Sequence, residues 1–456
     1  MLPAVKSKGS GRSSSASSLR SLQEEDDDLI TDALKKSRAG LIYVKYFLGG
    51  ANTKEFTLEG AIYRNIVDIF DLRKRLYNIK DIEQANFKTL LGNHMKEYRF
   101  GDKNDLVFHS NFDSGNLFSV VKGRDSVYYL EMTPDTNSTL DPGWFHFAVT
   151  NAKKGNRVVF RVINYTKPKF LNKAVCYRSK LDDSNPDTEW ARLLEPDCSY
   201  YSNDEHLEVF DEVVLSRIKG KYTLEFIYQF EHDNDKVYFA PCPPYSYDDL
   251  QRDSLTWQLK CHNKRDYCFR KKLLCFTLTG RKLFYYEAYR AKEKTKTNML
   301  NGQKIIILMA RMHPSETASS FALQGFMEKL FDFEAGHKSE ASFLRHHFMF
   351  VIIPMVNPDG VSVGNSSATF SGQSLKKTFA HPDRFIHPES FYIRKLIHTL
   401  SQSNQIMFYT DFRSSDYHKN CWIAGCEEKN FPGKKQREFP ILMADWFKHF
   451  DLDKSK

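Results

Sequence analysis

Three continuous apolar runs constrain this chain more than any other feature: Lys304-Ile305-Ile306-Ile307-Leu308-Met309-Ala310, Phe348-Met349-Phe350-Val351-Ile352-Ile353 and Gln405-Ile406-Met407-Phe408-Tyr409-Thr410. Runs of this length read as strands buried on both faces. Between them Leu323, Phe326, Met327 and Leu330 stand at i, i+3, i+4 and i+7, and Ile393, Leu396, Ile397 and Leu400 repeat the spacing, as the apolar stripe of a helix does. Strand and helix in alternation predict an α/β domain, a mostly parallel sheet with helices on both faces. Ligand sites in such sheets gather beyond the carboxyl ends of the strands. Chemistry is therefore to be sought in Arg311 to Glu316, Asn357 to Lys377 and Asp411 to His418.

The preceding part follows another pattern. Short β-rich runs such as Val127–Leu130, Trp144–Val149 and Val158–Ile163 are separated by turn clusters. In Thr223–Phe230 the residues Leu224, Phe226, Tyr228 and Phe230 alternate onto one face, which predicts an antiparallel β-sandwich. The expected organisation is a disordered Ser-rich and acidic tail over 1–38, with a phosphorylated docking segment as the alternative. A mixed segment of unassigned role follows over 39–100, the sandwich over 101–240, and the α/β domain over 241–456.

Composition narrows the function classes. Lys plus Arg exceed Asp plus Glu by 66 to 57, a net charge of +9, which favours acidic partners without naming one. No run approaches the roughly 18 apolar residues of a membrane-spanning helix. The eight cysteines include no Cys-x-x-Cys pair, so neither a disulfide scaffold nor a zinc ribbon is expected. The first residues carry no apolar signal core, which makes a reducing, cytosolic compartment the expectation. Nucleic-acid binding has only Lys264-Arg265 and Arg270-Lys271-Lys272 behind it, and is set aside.

The first apolar run ends in His313-Pro314-Ser315-Glu316, and a His and a Glu three apart can face one divalent ion. A second His-x-x-Glu, His337 to Glu340, reads as a surface loop. The second run ends in Asn357-Pro358-Asp359-Gly360. By its residue chemistry this is a turn, with glycine supplying positive φ.

These segments together resemble the zinc metallocarboxypeptidases, and in particular the cytosolic carboxypeptidases that trim glutamates from tubulin tails. The resemblance extends to Phe112-Asp113-Ser114-Gly115-Asn116-Leu117, Asn164-Tyr165-Thr166-Lys167-Pro168 and Tyr228 to Tyr245, and covers about residues 100 to 430. It implies Zn2+ as cofactor, His313 and Glu316 as metal ligands, and acidic protein tails such as tubulin as partners. It implies a cytoplasmic place, with microtubules or cilia as the finer expectation, and neither nucleic acid nor membrane.

The chain also departs from that pattern. Where the family writes Asp-Leu-His-Gly-His-Ser it reads Asp411-Phe412-Arg413-Ser414-Ser415, so Arg413 occupies the third-ligand position. Ser367 replaces an Arg that steadies the oxyanion, and Lys376-Lys377 replace the Asn-Arg pair that grips the substrate carboxylate. No counterpart of the general-base Glu is found, so a C-terminally short member is expected and no catalytic residue is assigned. Asp411, Asp416 and His418 are the conceivable substitute ligands. Without metal, Glu316 needs a counter-charge, and Arg413 could supply one as a fork-like ion pair. Two functions therefore stay open: a zinc carboxypeptidase acting on acidic tails, and an inactive relative that binds them.

Overall fold

The computed structural model describes residues 97–137, 142–168, 175–181, 190–193, 196–262, 264, 267–290, 302–333, 339–414, 420–425 and 434–455. The expectations for 1–38 and most of 39–100 lie outside these residues, as do Asp416, His418, His337 and Arg265. Two compact units divide the chain, one holding residues up to 413 apart from 169–172, the other those four and 414–456.

The first unit begins with two packed sheets. Their strands are β1 (Glu97–Tyr98), β2 (Val107–His109), β3 (Leu117–Lys122), β4 (Val127–Met132), β5 (Phe147–Thr150), β6 (Arg157–Tyr165), β7 (Val175–Ser179), β8 (Ala191–Leu193), β9 (Cys198–Ser202), β10 (Tyr222–Gln229) and β11 (Val237–Ala240), with helix α1 (Glu212–Ile218) before β10. One sheet runs β1-β2-β5-β11-β7-β8 and the other β3-β4-β6-β10-β9. All pairings are antiparallel except β4 with β6. Their inner faces meet in an aromatic core: Phe160 lies 5.2 Å from Phe226 and 5.3 Å from Phe239, ring centre to ring centre. Leu224, Phe226, Tyr228 and Phe230 are all buried, because alternate residues of β10 point into the space between the sheets.

Helix α2 (Tyr247–His262) leads into the α/β layer: β12 (Tyr267–Phe276), β13 (Lys282–Arg290), β14 (Lys304–Ala310), α3 (Thr317–Leu330), α4 (Glu340–His347), β15 (Met349–Ile353), α5 (Pro358–Val363), α6 (Leu375–Thr378), α7 (Pro388–Ser403) and β16 (Gln405–Phe412). The strand order is β12-β13-β15-β14-β16. The β14 pairings with β15 and β16 are parallel, while β12, β13 and β15 pair antiparallel. One sheet face packs Leu308, Phe350 and Ile352 against Trp257 of α2 and Leu323, Met327 and Leu330 of α3. The other packs Ile307, Met309 and Val351 against Ile393, Leu396 and Leu400 of α7.

Three expectations need correction. β16 is not buried on both faces, for Met407 and Tyr409 are each 46% exposed. Among the described residues it pairs with β14 alone and so stands at the sheet edge. Asn-Pro-Asp-Gly is not a free turn either. Asn357 caps α5, accepting a hydrogen bond from Gly360 N at 2.9 Å, and Pro358 opens the helix, the position its fixed φ suits. Gly360 has no positive φ. It is required because a Cβ there would lie 2.4 Å from Pro314 Cγ and 2.7 Å from the Ala368 carbonyl. The left-handed residue comes later, at Gly364 (φ +73), which ends the helix. Glu340, expected in a loop, opens α4 behind its Ser339 cap.

The second unit contains α8 (Lys434–Trp446) and a bridge between Cys421 and Phe450, in which Asp451 N donates to the Cys421 carbonyl at 2.8 Å. No helix among the described residues is long and apolar enough to cross a membrane.

Candidate functional site

The three parallel strands end side by side. Val356 N donates to the Ala310 carbonyl and Asn357 N to that of Arg311, so the loops after β14 and β15 run together. Arg311 turns the chain at the end of β14 with φ +62, a conformation that strains a residue with a Cβ. Its guanidinium, only 1% exposed, fixes that turn. It donates to the Pro314 carbonyl (2.8 Å), the Tyr245 carbonyl (2.8 Å) and Ser320 Oγ (3.1 Å). Burial lowers its pKa to about 10. The next residues, Met312 to Glu316, are thereby held on rigid backbone beside the start of α3.

His313 and Glu316 are brought together, with Nδ1 3.1 Å from Oε1. Two ligands of one tetrahedral ion with bonds near 2.0–2.1 Å stand about 3.3 Å apart, so this pair has the bite of a metal site. Arg413, following β16, fills that bite. Its Nε lies 2.9 Å from Glu316 Oε2, and Nη2 donates to Oε1 at 3.2 Å. Nη2 also stands 3.0 Å from His313 Nδ1. Nη1 reaches Asp411 Oδ2 at 3.2 Å and Met312 Sδ at 3.1 Å. A guanidinium has five N–H groups and no acceptor; here Nη1 and Nη2 supply the hydrogen bonds, while Nε meets Glu316 Oε2 as an ion pair. Nη2 lies 3.3 Å from Nε2 of the His313 ring as well, and Nε2 is 3.1 Å from Ser374 Oγ. Asp411 is raised to about 6 by burial, with the Arg413 charge pulling the other way.

Zinc is the metal such a pair would suggest, and the donor set does not fit it. Catalytic zinc takes three protein ligands, and here the third side chain is a cation. At about 5 Å a guanidinium repels a divalent ion by roughly 6–7 kcal/mol at an effective dielectric near 20, and Arg413 sits closer still. No other group of three or more His, Cys, Asp or Glu among the described residues is arranged to hold a metal.

The remaining expected residues are placed as follows. Ser367 is tied to Asp135 of the sandwich, its Oγ donating to Oδ2 at 3.3 Å. Its N–H (2.8 Å), with those of Ser366 (2.5 Å) and Ala368 (2.8 Å), donates to the Asp135 carboxylate. The Ser366 carbonyl in turn accepts from Ser315 N and Oγ at 3.1 and 2.9 Å, so a sandwich carboxylate supports the His-x-x-Glu turn through one intermediate loop. Lys376 and Lys377 are exposed on α6, whose cap Ser374 is the residue touching His313. Sequence reasoning placed Arg311, Met312 and Ser374 within the candidate loops without giving them a role, and passed over Asp135. Only Arg311 carried a signal, as a charged residue directly after a buried run.

The upstream motif builds the junction with this loop region. Asp113 accepts from Tyr247 N at the start of α2 (2.8 Å) and from Ser362 Oγ. Ser114 N donates to the Ser362 carbonyl.

An α/β sheet with helices on both faces, a β-sandwich before it, and a His-x-x-Glu pair beyond the first parallel strand define a protein of the metallocarboxypeptidase class. Residues 277–378 match the zinc carboxypeptidase family, and residues 108–241 match the cytosolic carboxypeptidase N-terminal domain. The chain belongs to the cytosolic carboxypeptidase family. It is 31% identical over 359 residues to cytosolic carboxypeptidase 2 of Xenopus tropicalis, covering 77% of this chain and 35% of that protein. It is 29% identical over 358 residues to cytosolic carboxypeptidase 6 of Caenorhabditis elegans, covering 76% and 72%. The chain thus spans about a third of the length of the first of these relatives. Among solved structures, a metallo-carboxypeptidase from Burkholderia cenocepacia superposes with a TM-score of 0.59 at 21% identity, covering 76% of this chain and 81% of that one, a likeness of fold.

Proposed function

We propose that this chain binds the acidic carboxy-terminal tails of proteins, tubulin-like polyglutamate tails among them, on a cytosolic carboxypeptidase scaffold and without metal-dependent cleavage. The observation that carries this reading is the Arg413 guanidinium lodged between His313 and Glu316. Amide hydrolysis at such a site needs an activated water and a stabilised oxyanion. Arg413 takes the place from which water would be activated, and the serine at the oxyanion position is committed to Asp135. What remains is a site whose rim offers cations. Lys376 and Lys377 are exposed two and three residues after the hydroxyl that touches His313, and a lysine ammonium serves as a point charge for carboxylates. The net charge of +9 favours the same partners at long range. The cytosol is the proposed place, with microtubules or cilia as where such tails would be met.

The competing reading, a zinc peptidase releasing carboxy-terminal glutamate, rests on family membership. A polyglutamate-ended peptide separates the two. Salt-sensitive binding that EDTA leaves unchanged, with no free glutamate produced, is the expected result. Release of glutamate that EDTA abolishes would refute the binding-only reading.

A further inference from the structure

We infer that Arg413 is a built-in cation that performs the structural work of a metal ion, and that the donors beneath it form a latent divalent-cation site closed by this one side chain. The inference stands on the geometry of the pair and not on the identity of any tail.

Three observations carry it. First, Glu316 is 9% exposed, and a carboxylate so placed needs a partner charge. Arg413 is the cation in contact with it, through Nε and Nη2. Secondly, the spacing of the two donors is compatible with two ligands of one ion. His313 Nδ1 and Glu316 Oε1 stand 3.1 Å apart while both face the guanidinium. Nε2 of the ring also meets Ser374 Oγ at 3.1 Å, an outer contact of the kind that ligating histidines use. The backbone beneath is held by Arg311, which donates to the Pro314 and Tyr245 carbonyls. Thirdly, the reach at position 413 suits an imidazole. Nε2 of a histidine is three bonds from its Cβ, as Nε of arginine is, and that arginine atom lies 2.9 Å from Glu316 Oε2. A histidine there would place a third neutral nitrogen at ligand-to-ligand distance, giving the His, Glu, His set of a zinc centre with one position open.

The experiment compares the full chain with its Arg413→His and Arg413→Ala variants, each incubated with zinc and dialysed into metal-free buffer. Bound metal is read by elemental analysis, and the thermal midpoint is measured with zinc and with EDTA. The parent should hold no stoichiometric zinc and melt at the same temperature in both buffers. Arg413→His should retain about one zinc per chain and melt higher with zinc than with EDTA, both gains vanishing when His313→Ala is added. Arg413→Ala should melt below the parent in EDTA, because Glu316 has lost its counter-charge. Two results would overturn the inference: zinc held by the parent and lost in His313→Ala, or a folded Arg413→His that takes up none. Should Arg413→His fail to fold, Arg413→Ala decides, since a midpoint in EDTA equal to the parent's would show that Arg413 does no structural work.

Discussion

Two buried carboxylates in this molecule are neutralised in opposite ways. Asp135, 3% exposed, is held by the backbone N–H groups of Ser366, Ser367 and Ala368. Glu316, 9% exposed, is held by one side-chain cation. Three successive N–H groups curled round an anion form a nest, and nests bind carboxylates as well as phosphates. No substitution at 366–368 short of proline removes those donors, whereas a single change at 413 strips Glu316 of its partner. The junction between sandwich and α/β layer is thus hard to lose by mutation, and the cation in the ligand bite is easy to exchange.

The contrast breaks first at Asp135. Asp135→Ala orphans one buried and two partly buried N–H groups, a buried one being worth about 1–3 kcal/mol, so a loss of about 3–4 kcal/mol is expected in urea unfolding, and Asp135→Asn should lose less. A loss under about 1 kcal/mol would mean that the loop relaxes and the nest is incidental. A third carboxylate sharpens the comparison because it has neither kind of partner. Glu389, in the first turn of α7, is 1% exposed, and neither carboxyl oxygen has a hydrogen-bond partner among the described residues. Burial, aided by the negative charge of Asp359, raises it from 4.5 to about 8. Between those values the folded protein keeps a proton that the unfolded chain has released, so stability should fall as pH rises through the window and level off above it. Glu389→Gln should flatten that slope, matching the parent near pH 5 and exceeding it near pH 8.5. Parallel curves for the two proteins would remove Glu389 from the account.

What the residues disclosed follows the same division. β14, β15, α3 and α7 were legible because their burial is set by neighbours that every α/β sheet supplies. β16 was misjudged because an edge strand and a central one share a composition, and only the pairing decides which face meets water. Gly360 was assigned to positive φ because that is the commoner reason for glycine in such a sequence. The actual reason, Pro314 packed against its Cα, depends on a loop 46 residues away in the chain. Asp135 left no trace because its partners are backbone groups, which any three residues could provide. The contact of His313 and Glu316 was suggested by spacing alone. The guanidinium between them could be anticipated only from the resemblance, since composition gives no reason to pair Arg413 with residues a hundred positions earlier.

The smallest expected change in stability tests whether the rim differs in kind from both buried sites. Lys376 and Lys377 are exposed, and neither has an ion-pair partner among the described residues. Their replacement by alanine should therefore alter folding stability by no more than about 0.5 kcal/mol. If they meet an acidic tail, each contributes at most about 1 kcal/mol to its binding, so the double variant should bind a polyglutamate-ended peptide about tenfold more weakly and with less dependence on salt. Unchanged affinity would move the recognition of acidic groups away from α6 while leaving the Arg413 geometry untouched. A large drop in stability would instead place the lysines within the framework that Asp135 and Glu316 share.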